Sequence, residues 1–568
     1  MLKQRVINTI AAKLGTHSFT LLSPNRPEFG DYAIHSSQLK ITNYELRNLF
    51  DPLFEKVEEN QGFINFYIDK QIAFKELEEL SSSSLQGSSQ RNKKILVEFT
   101  DPNPFKEFHV GHLLDNIIGE SLARMMEFEG AHVKRANYEG DVGMHVAKCV
   151  WGILQLKNEM PTPEATPQEK ARFLGKAYAF GASKFDDEII KKEITKLNKK
   201  IYEKDPEIME IYQTGRAWSL EYFELIYKRL GTKFDFYYFE SEIGKAGLTL
   251  VKEYLDKGIF KESEGAIIFP GEQYGLHTRV FVNSLGLPTY EAKELGLAPA
   301  KYNDFKYDLS IILTGNEVKE YFKVLLCALQ QINPDLASKT RHLSHGMVRN
   351  ADGSKMSSRS GNVLTGEMLL DEAKQHATKI IDQTPNEFTE EEKSIIAEEV
   401  GKGAIKYAFL KSAIGKDIAF DMEQSVSFHG DAGPYLQYTY ARCMSILRKA
   451  PPVIPSPQSG SEGSLAHASS STPLLSAQND IQLEELNVLK LLIKFPEIVA
   501  EAADKYSPHI LCSYLFTLTQ SFNTLYEKHP ILKAESDQKI LRLKLTETTS
   551  NILKQGLHLL GIEVVEKI

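Results

Sequence analysis

The chain has 568 residues, 42% of them hydrophobic and 25% charged, the balance of a soluble globular protein with about two to four domains. Its formal net charge of −9 excludes a global electrostatic attraction to nucleic acid, so any such partner must be held by local basic patches. Four cysteines, Cys149, Cys327, Cys443 and Cys512, lie far apart without a CxxC pair, which argues against zinc and suits a reducing compartment.

The opening MLKQRVINTIAAKLG is amphipathic and lacks the apolar core of a secretory signal. No apolar run approaches the roughly 20 residues that cross a bilayer. A cytoplasmic protein with no membrane partner is expected. Residues 1–80 read as a small α+β domain: the opening helix, the turn-rich SPNRPEFGDYA (23–33) and a short strand, GFINFYI (62–68). SSSSLQGSSQRNKK (81–94) reads as a polar linker. From 95 the pattern becomes strand, loop, helix: ILVEFT, then DPNPFKEFHVGH, then LLDNIIGESLARMMEFEG, where Leu113, Ile117, Leu122 and Met126 fit one helix face. Gly130 ends that helix and HVKRANYEG opens another strand. Such alternation predicts a parallel sheet with crossover helices.

Residues 155–245 are helical and strongly charged, and sheet patterns return at GAIIFP (265–270), TRVFVN (278–283) and DLSIIL (308–313). An α/β domain over 95–370, split by a helical insertion at about 155–245, is therefore expected. From 371 to 568 nearly everything reads as helix, interrupted by the low-complexity PPVIPSPQSGSEGSLAHASSSTP, part of an expected flexible loop at about 451–480.

His109 and His112 stand three apart, with Gly111 between them, where a strand gives way to a helix. A helix N-terminus offers free N–H groups and about half a positive charge, and a glycine there admits a phosphate or nucleobase to the backbone. Both imidazoles fall on one face of the first turn and can donate to phosphate oxygens. This suggests a triphosphate site, although polar capping of the helix accounts for the pair equally well. Metal ligation lacks a third His or Cys nearby in sequence. Far downstream, RNADGSKMSSRSGNV (349–363) sets Lys355, Ser357 and Ser358 between Gly353 and Gly361. A lysine suits a departing pyrophosphate, and flanking glycines allow a loop to close and reopen; alone, the stretch also fits a solvated basic loop.

HVGH, KMSS and a helical C-terminus, in that order, resemble a class I aminoacyl-tRNA synthetase. VEFTDPNPFKEFHVGH (97–112), NYEGDVGMHVAK (137–148), LPTYEAKELGLA (287–298), HGMVRNADGSKMSSRSGNVL (345–364), GPYLQYTYARCMSILRKA (433–450) and GLHLLGIEVVEK (556–567) resemble the arginyl-tRNA synthetase family. The resemblance implies a Rossmann-like catalytic domain, an N-terminal module on the tRNA elbow and a C-terminal anticodon-binding domain. It implies that arginine is activated with ATP, as its Mg²⁺ complex and without zinc, to arginyl-adenylate. The arginyl group then passes to the 3′ end of tRNA(Arg), releasing AMP, and tRNA must bind before activation begins. His109, Gly111, His112, Met347, Lys355, Ser357 and Ser358 would contact ATP, with Lys106 a second phosphate lysine. Glu98, Asn103, His109, Tyr290 and Glu294 would contact arginine, and Tyr435, Gln437, Tyr438 and Arg442 the tRNA. A monomer is expected.

A guanidinium is planar with five N–H donors and is best met by a carboxylate, and the i, i+4 spacing of Tyr290 and Glu294 puts both on one helix face. The family usually has aspartate at the Glu294 position, arginine where Leu114 stands, and a GADH-like run where Asn316, Glu317 and Val318 stand. A class I synthetase for another amino acid such as cysteine, or a silent tRNA-binding paralogue, are the alternatives.

Overall fold

The computed structural model describes residues 2–24, 29–39, 49, 51–82, 87–354, 356, 364–383, 388–450 and 480–568. They form two compact units: one built from 88–380 and 404–426, the other from 1–87, 381–403 and 427–568.

The first unit is organised by a parallel sheet. Its strands are β1 (Lys94–Glu98), β2 (His132–Glu139), β3 (Phe236–Phe239), β4 (Leu309–Gly315) and β5 (Thr340–His345), in the spatial order β5-β4-β1-β2-β3. Every neighbouring pair is parallel; Val97 stands opposite Arg135 on one side and Ile311 on the other. Ile95, Leu96, Val97, Ile311 and Leu313 are all fully buried, as expected for strands covered on both faces, which read as unbroken apolar runs. The strand order reverses between β1 and β4, and crevices at such switch points are where open α/β sheets bind ligands.

Helix α1 (Val110–Phe128) follows β1, and almost every residue along it is buried. Helices Met144–Gln155, Pro167–Ser183, Glu188–Tyr202 and Pro206–Leu230 build the insertion, with a core of its own around Val150, Trp151, Phe173, Leu174, Ile194 and Leu197. The expected insertion at 155–245 is corrected at its end: Phe236–Phe239 is the edge strand of the parallel sheet, pairing Ala136 with Phe236. The sheet patterns at 265–270 and 278–283 are also corrected. They form a separate antiparallel sheet of Lys261–Ser263, Ala266–Phe269 and Arg279–Val282. Glu264 (φ 51°) and Gly265 (φ 77°) both adopt the left-handed conformation at the tip between its first two strands, and such two-residue turns reverse a chain rather than feed a crossover. Only DLSIIL joins the parallel sheet, as β4.

In the second unit, strands Tyr32–His35, Phe54–Asn60 and Phe63–Ile68 form an antiparallel sheet, beside helices Leu2–Leu14 and Lys70–Ser82. The opening helix buries Leu2, Val6, Ile10 and Ala11, the face its amphipathic pattern predicts. The other large part is helical: Gly433–Lys449, Leu483–Leu492, Phe495–Asp504, Pro508–Lys528 and Ser536–Leu559. The two parts share one body. Tyr32 donates to Glu497 at 2.8 Å, and Lys490 pairs with Asp31 at 2.8 Å. Residues 451–479 of the expected flexible loop, and 83–86 of the expected linker, lie outside the described residues.

Candidate active site

The loop from β1 to α1 is wound tightly. Thr100 (φ 80°), Asp101 (φ 39°) and Phe105 (φ 69°) are all left-handed without being glycine, a strain of order 1–3 kcal/mol each that the surroundings must hold. They do so by specific bonds. Thr100 N–H donates to Asp115 Oδ2 at 3.0 Å, and its hydroxyl accepts from Asn116 at 3.0 Å. Phe105 N–H donates to Ser219 at 2.9 Å, while its ring stacks on Tyr212 at 5.7 Å. The insertion thus grips the loop through its helix Pro206–Leu230.

At the end of this loop His109 caps α1. Its Nδ1 accepts from the N–H groups of Gly111 (3.0 Å) and His112 (3.3 Å), and His112 Nδ1 accepts from His109 N–H at 3.4 Å. The rings stack 3.6 Å apart. A β-carbon at Gly111 would lie 2.8 Å from His109 Cε1, so any side chain there would displace the capping ring. Capping and phosphate binding are compatible here. The cap bonds occupy Nδ1 on both rings, which assigns the proton of the neutral imidazole to Nε2 and leaves that atom a donor. Burial, reinforced by His109, Lys106 and His345, holds the His112 pKa well below its ordinary value, so that ring stays neutral.

The segment after the downstream loop returns to this turn. Thr365 bridges His109, and Gly366 N–H donates to Phe108 O at 2.8 Å. Lys355, Ser357 and Ser358 lie outside the described residues. Met347 is 52% exposed, and its N–H donates to Asp417 at 2.9 Å. The Lys106 ammonium lies 5.2 Å from the Tyr178 ring centre, and burial and then Lys148 lower its pKa.

Beside the turn is a cavity of about 330 Å³ lined by Asp101, Asn103, Tyr138, Gly140, Glu240, Tyr290 and Val318. Gly140 approaches so closely that a β-carbon would lie 2.4 Å from Asn103 Oδ1. Tyr290 opens helix Tyr290–Asp304, with Glu294 one turn on and buried. Burial first, and then Glu98, push the Glu294 carboxyl well above the usual range, although Lys301 opposes them. Burial, then Glu98 and Asp115, do the same to Asp101.

Glu98 is 1% exposed; its Oε2 accepts from Lys301 at 2.6 Å, and its Oε1 has no hydrogen-bond partner among the described residues. Sequence reasoning missed Asp101, Tyr138, Glu240 and Lys293, of which the last two form a second buried pair at 2.5 Å. One signal was available: Glu294 and Lys301 are seven apart, two turns along the same stripe as Tyr290.

The RNA candidates lie in the other unit, on helix Gly433–Lys449. Gln437 is corrected. It is fully buried and donates to Glu399 O at 3.2 Å and Glu563 O at 2.7 Å, so it holds the bundle together. Tyr435 accepts from Asn523 at 2.9 Å. Arg442 stacks between Tyr438 (4.9 Å) and the exposed Tyr526 (5.0 Å) and donates to Asn523. Among the described residues no three His, Cys, Asp or Glu side chains converge to hold a metal ion, and no helix is long and apolar enough to cross a membrane.

His145 is a pH probe of the crevice. Its Nε2 pairs with Gly140 O at 2.8 Å, and burial, then Lys106, lower its pKa to about 3. Between the unfolded value near 6.5 and that folded value, the unfolded chain takes up a proton that the folded one refuses, so stability falls as pH drops. The His145→Gln variant should therefore lose less stability than the parent between about pH 6.5 and 4, measured by urea denaturation at both.

A parallel sheet with a histidine-capped helix at its switch point is the architecture of the class I aminoacyl-tRNA synthetases. A family model described as tRNA synthetases class I (R), catalytic domain, matches residues 77–422, and the DALR anticodon binding domain matches 436–568. The arginine–tRNA ligase of Clostridium botulinum (strain 657) is 32% identical over 561 residues, covering 96% of this chain and 95% of its own. That of Flavobacterium psychrophilum is 30% identical over 555 residues, covering 93% and 88%. The Thermus thermophilus arginyl-tRNA synthetase structure superposes with a TM-score of 0.81 at 23% identity, covering all of both chains. The chain belongs to the arginyl-tRNA synthetase family, whose members ligate arginine to tRNA.

Proposed function

We propose that the histidine turn and the carboxylate-lined cavity beside it form the centre at which this chain, as an arginine–tRNA ligase, activates arginine with ATP. One observation carries the assignment: two stacked imidazoles keep Nδ1 on the helix cap, which puts the proton on Nε2, at the end of the loop that also supplies Asp101 and Asn103 to the cavity. The arginine carboxylate attacks the α-phosphate in line and pyrophosphate leaves. Charge builds on the phosphate oxygens, and fixed donors aimed at it supply much of the acceleration. Those donors are the Nε2–H groups of His109 and His112, with Gly111 giving the adenosine close access. Lys355 and Lys106 neutralise the pyrophosphate, and Ser357, Ser358 and Met347 complete the nucleotide site. Mg²⁺ enters with ATP and adds positive charge at the phosphates; zinc has no part. The ribose hydroxyl of the tRNA 3′ end then takes the arginyl group and AMP leaves.

Tyr290 and Glu294 meet the guanidinium, with Asn103 nearby. Rejection of lysine follows, because a compact ammonium would leave buried acceptors of a bidentate site unpaired. Tyr435, Tyr438 and Arg442 offer stacking faces and donors to anticodon bases, as unpaired RNA is read. The N-terminal module, residues 1–80, takes the tRNA elbow. The chain acts as a cytoplasmic monomer.

The test is arginine-dependent pyrophosphate exchange with and without tRNA, on the parent and on Glu294→Gln. Exchange needing both arginine and tRNA is expected, with a raised arginine KM and an unchanged ATP KM in the variant. Exchange driven by a different amino acid, or none at all, would remove the arginine assignment.

A further inference from the structure

The proposed nucleotide site draws on two stretches far apart in the chain, the histidine turn and the segment that follows the downstream loop. One helix of the insertion, Pro206–Leu230, touches the surroundings of both. On the side of the turn, Ser219 accepts from Phe105 N–H at 2.9 Å, and the Phe108 ring packs against Phe223 at 6.0 Å and Tyr227 at 6.3 Å. On the downstream side, Tyr222 donates to Glu367 Oε2 at 3.0 Å, and Arg229 pairs with Asp371 at 2.7 Å. Gln168, on the insertion helix Pro167–Ser183, donates to Glu367 Oε1 at 3.4 Å.

The insertion thus holds Glu367 by both carboxylate oxygens. Glu367 directly follows the two residues that lie on the histidine turn: Thr365 bridges His109, and Gly366 N–H donates to Phe108 O at 2.8 Å. The helix dipole favours a carboxylate in the first turn of helix Gly366–Ile381 whichever way it points, so the dipole alone does not explain two donors reaching it from the insertion. Tyr222 is 4% exposed, and a hydroxyl so placed needs a partner, which Glu367 supplies. The two bonds fix the start of this helix against the insertion. Through Thr365 and Gly366 they also bear on the cap of α1, where a displacement of the imidazoles would cost rate out of proportion to stability.

We propose that Glu367 is a positioning residue for His109: pinned by Tyr222 and Gln168, it holds Thr365 and Gly366 against the histidine turn and so orients the imidazoles toward the nucleotide. The inference rests on the phosphate role proposed for those imidazoles and adds to it a residue that acts through them.

The test compares two steps in Glu367→Ala, Tyr222→Phe and the double variant. Single-turnover adenylate formation, with arginine, ATP and tRNA present, reads the step that needs the imidazoles. Arginyl transfer from synthetic arginyl-adenylate supplied with tRNA bypasses it. Each single variant should form adenylate about 10-fold more slowly, the loss of one hydrogen bond to a charged group, with the arginine and ATP KM and the transfer rate unchanged. The double variant should be no slower than the slower single one, because both remove the same bond. Glu367→Gln keeps an acceptor for Tyr222 and should recover most of the rate. A full rate in Glu367→Ala, equal slowing of both steps, or additive slowing in the double variant would overturn the proposal. If Glu367→Ala fails to fold, Tyr222→Phe against Glu367→Gln decides it: slow adenylate formation in the first alone supports it, and a full rate in the first refutes it. Absence of arginine charging in the unaltered chain would sink the ligase assignment and this inference together. Normal charging with a full rate in the variants sinks the inference alone.

Discussion

His109→Asn should form arginyl-adenylate on the order of 10²- to 10³-fold more slowly than the parent while keeping its melting temperature. The proposal gives His109 a second job beside its cap, and this substitution separates the two. Nδ1 caps α1 by accepting from Gly111 and His112, and asparagine is among the best residues at that position. In the proposed mechanism Nε2–H is the donor for charge developing on the α-phosphate, and an asparagine side chain is too short to cap the helix and reach the phosphate at once. His109→Ala should be equally slow and in addition lose about 1 kcal/mol of stability with the cap. Single-turnover adenylate formation in the presence of tRNA, with thermal melts of both variants, reads the two effects apart. A full rate in His109→Asn would leave the imidazole as a cap and nothing more.

Lys301→Met should cost about 3–5 kcal/mol, the penalty for leaving a buried carboxylate without its cation. Lys301 and Glu98 are each 1% exposed, the bond between them is 2.6 Å, and Glu98 Oε1 has no hydrogen-bond partner among the described residues. Burial alone would lower the lysine pKa, but Glu98 raises it, so the ammonium is charged in the folded chain. Adding Glu98→Gln should recover most of the loss, because buried pairs replaced by neutral groups of similar volume are often nearly neutral in stability. The denaturation midpoint of the first unfolding transition measures both. A double variant as unstable as Lys301→Met would show that packing, not the stranded charge, sets the cost.

Where bonding is local, the residues announced the candidate site. A helix start after an apolar run, a glycine that cannot carry a side chain, and Tyr290 one turn before Glu294 are patterns of periodicity and spacing. The parallel sheet was legible because β1 and β4 are apolar runs, as doubly covered strands must be, with helix-forming stretches between strands. What escaped was non-local. Glu98 reads as a free ligand until Lys301, 203 residues away, is folded onto it. Gln437 reads as a surface donor until Glu399 and Glu563 supply carbonyls from distant turns. Asp101 has no sequence signature, since its bond from the Tyr138 N–H, 37 residues away, exists only in the fold. Phe236–Phe239 was hidden because a four-residue strand carries too little periodicity against the charged helices before it.

The bond from Tyr32 to Glu497 spans 465 residues, and Asp31 to Lys490 spans 459. During synthesis at about 5–20 residues per second, the small N-terminal sheet emerges on the order of 20–90 s before the helices that cover it. For that interval its exposed face must be tolerated by water or by chaperones. Shortening the chain from its far end would uncover residues made at the very beginning.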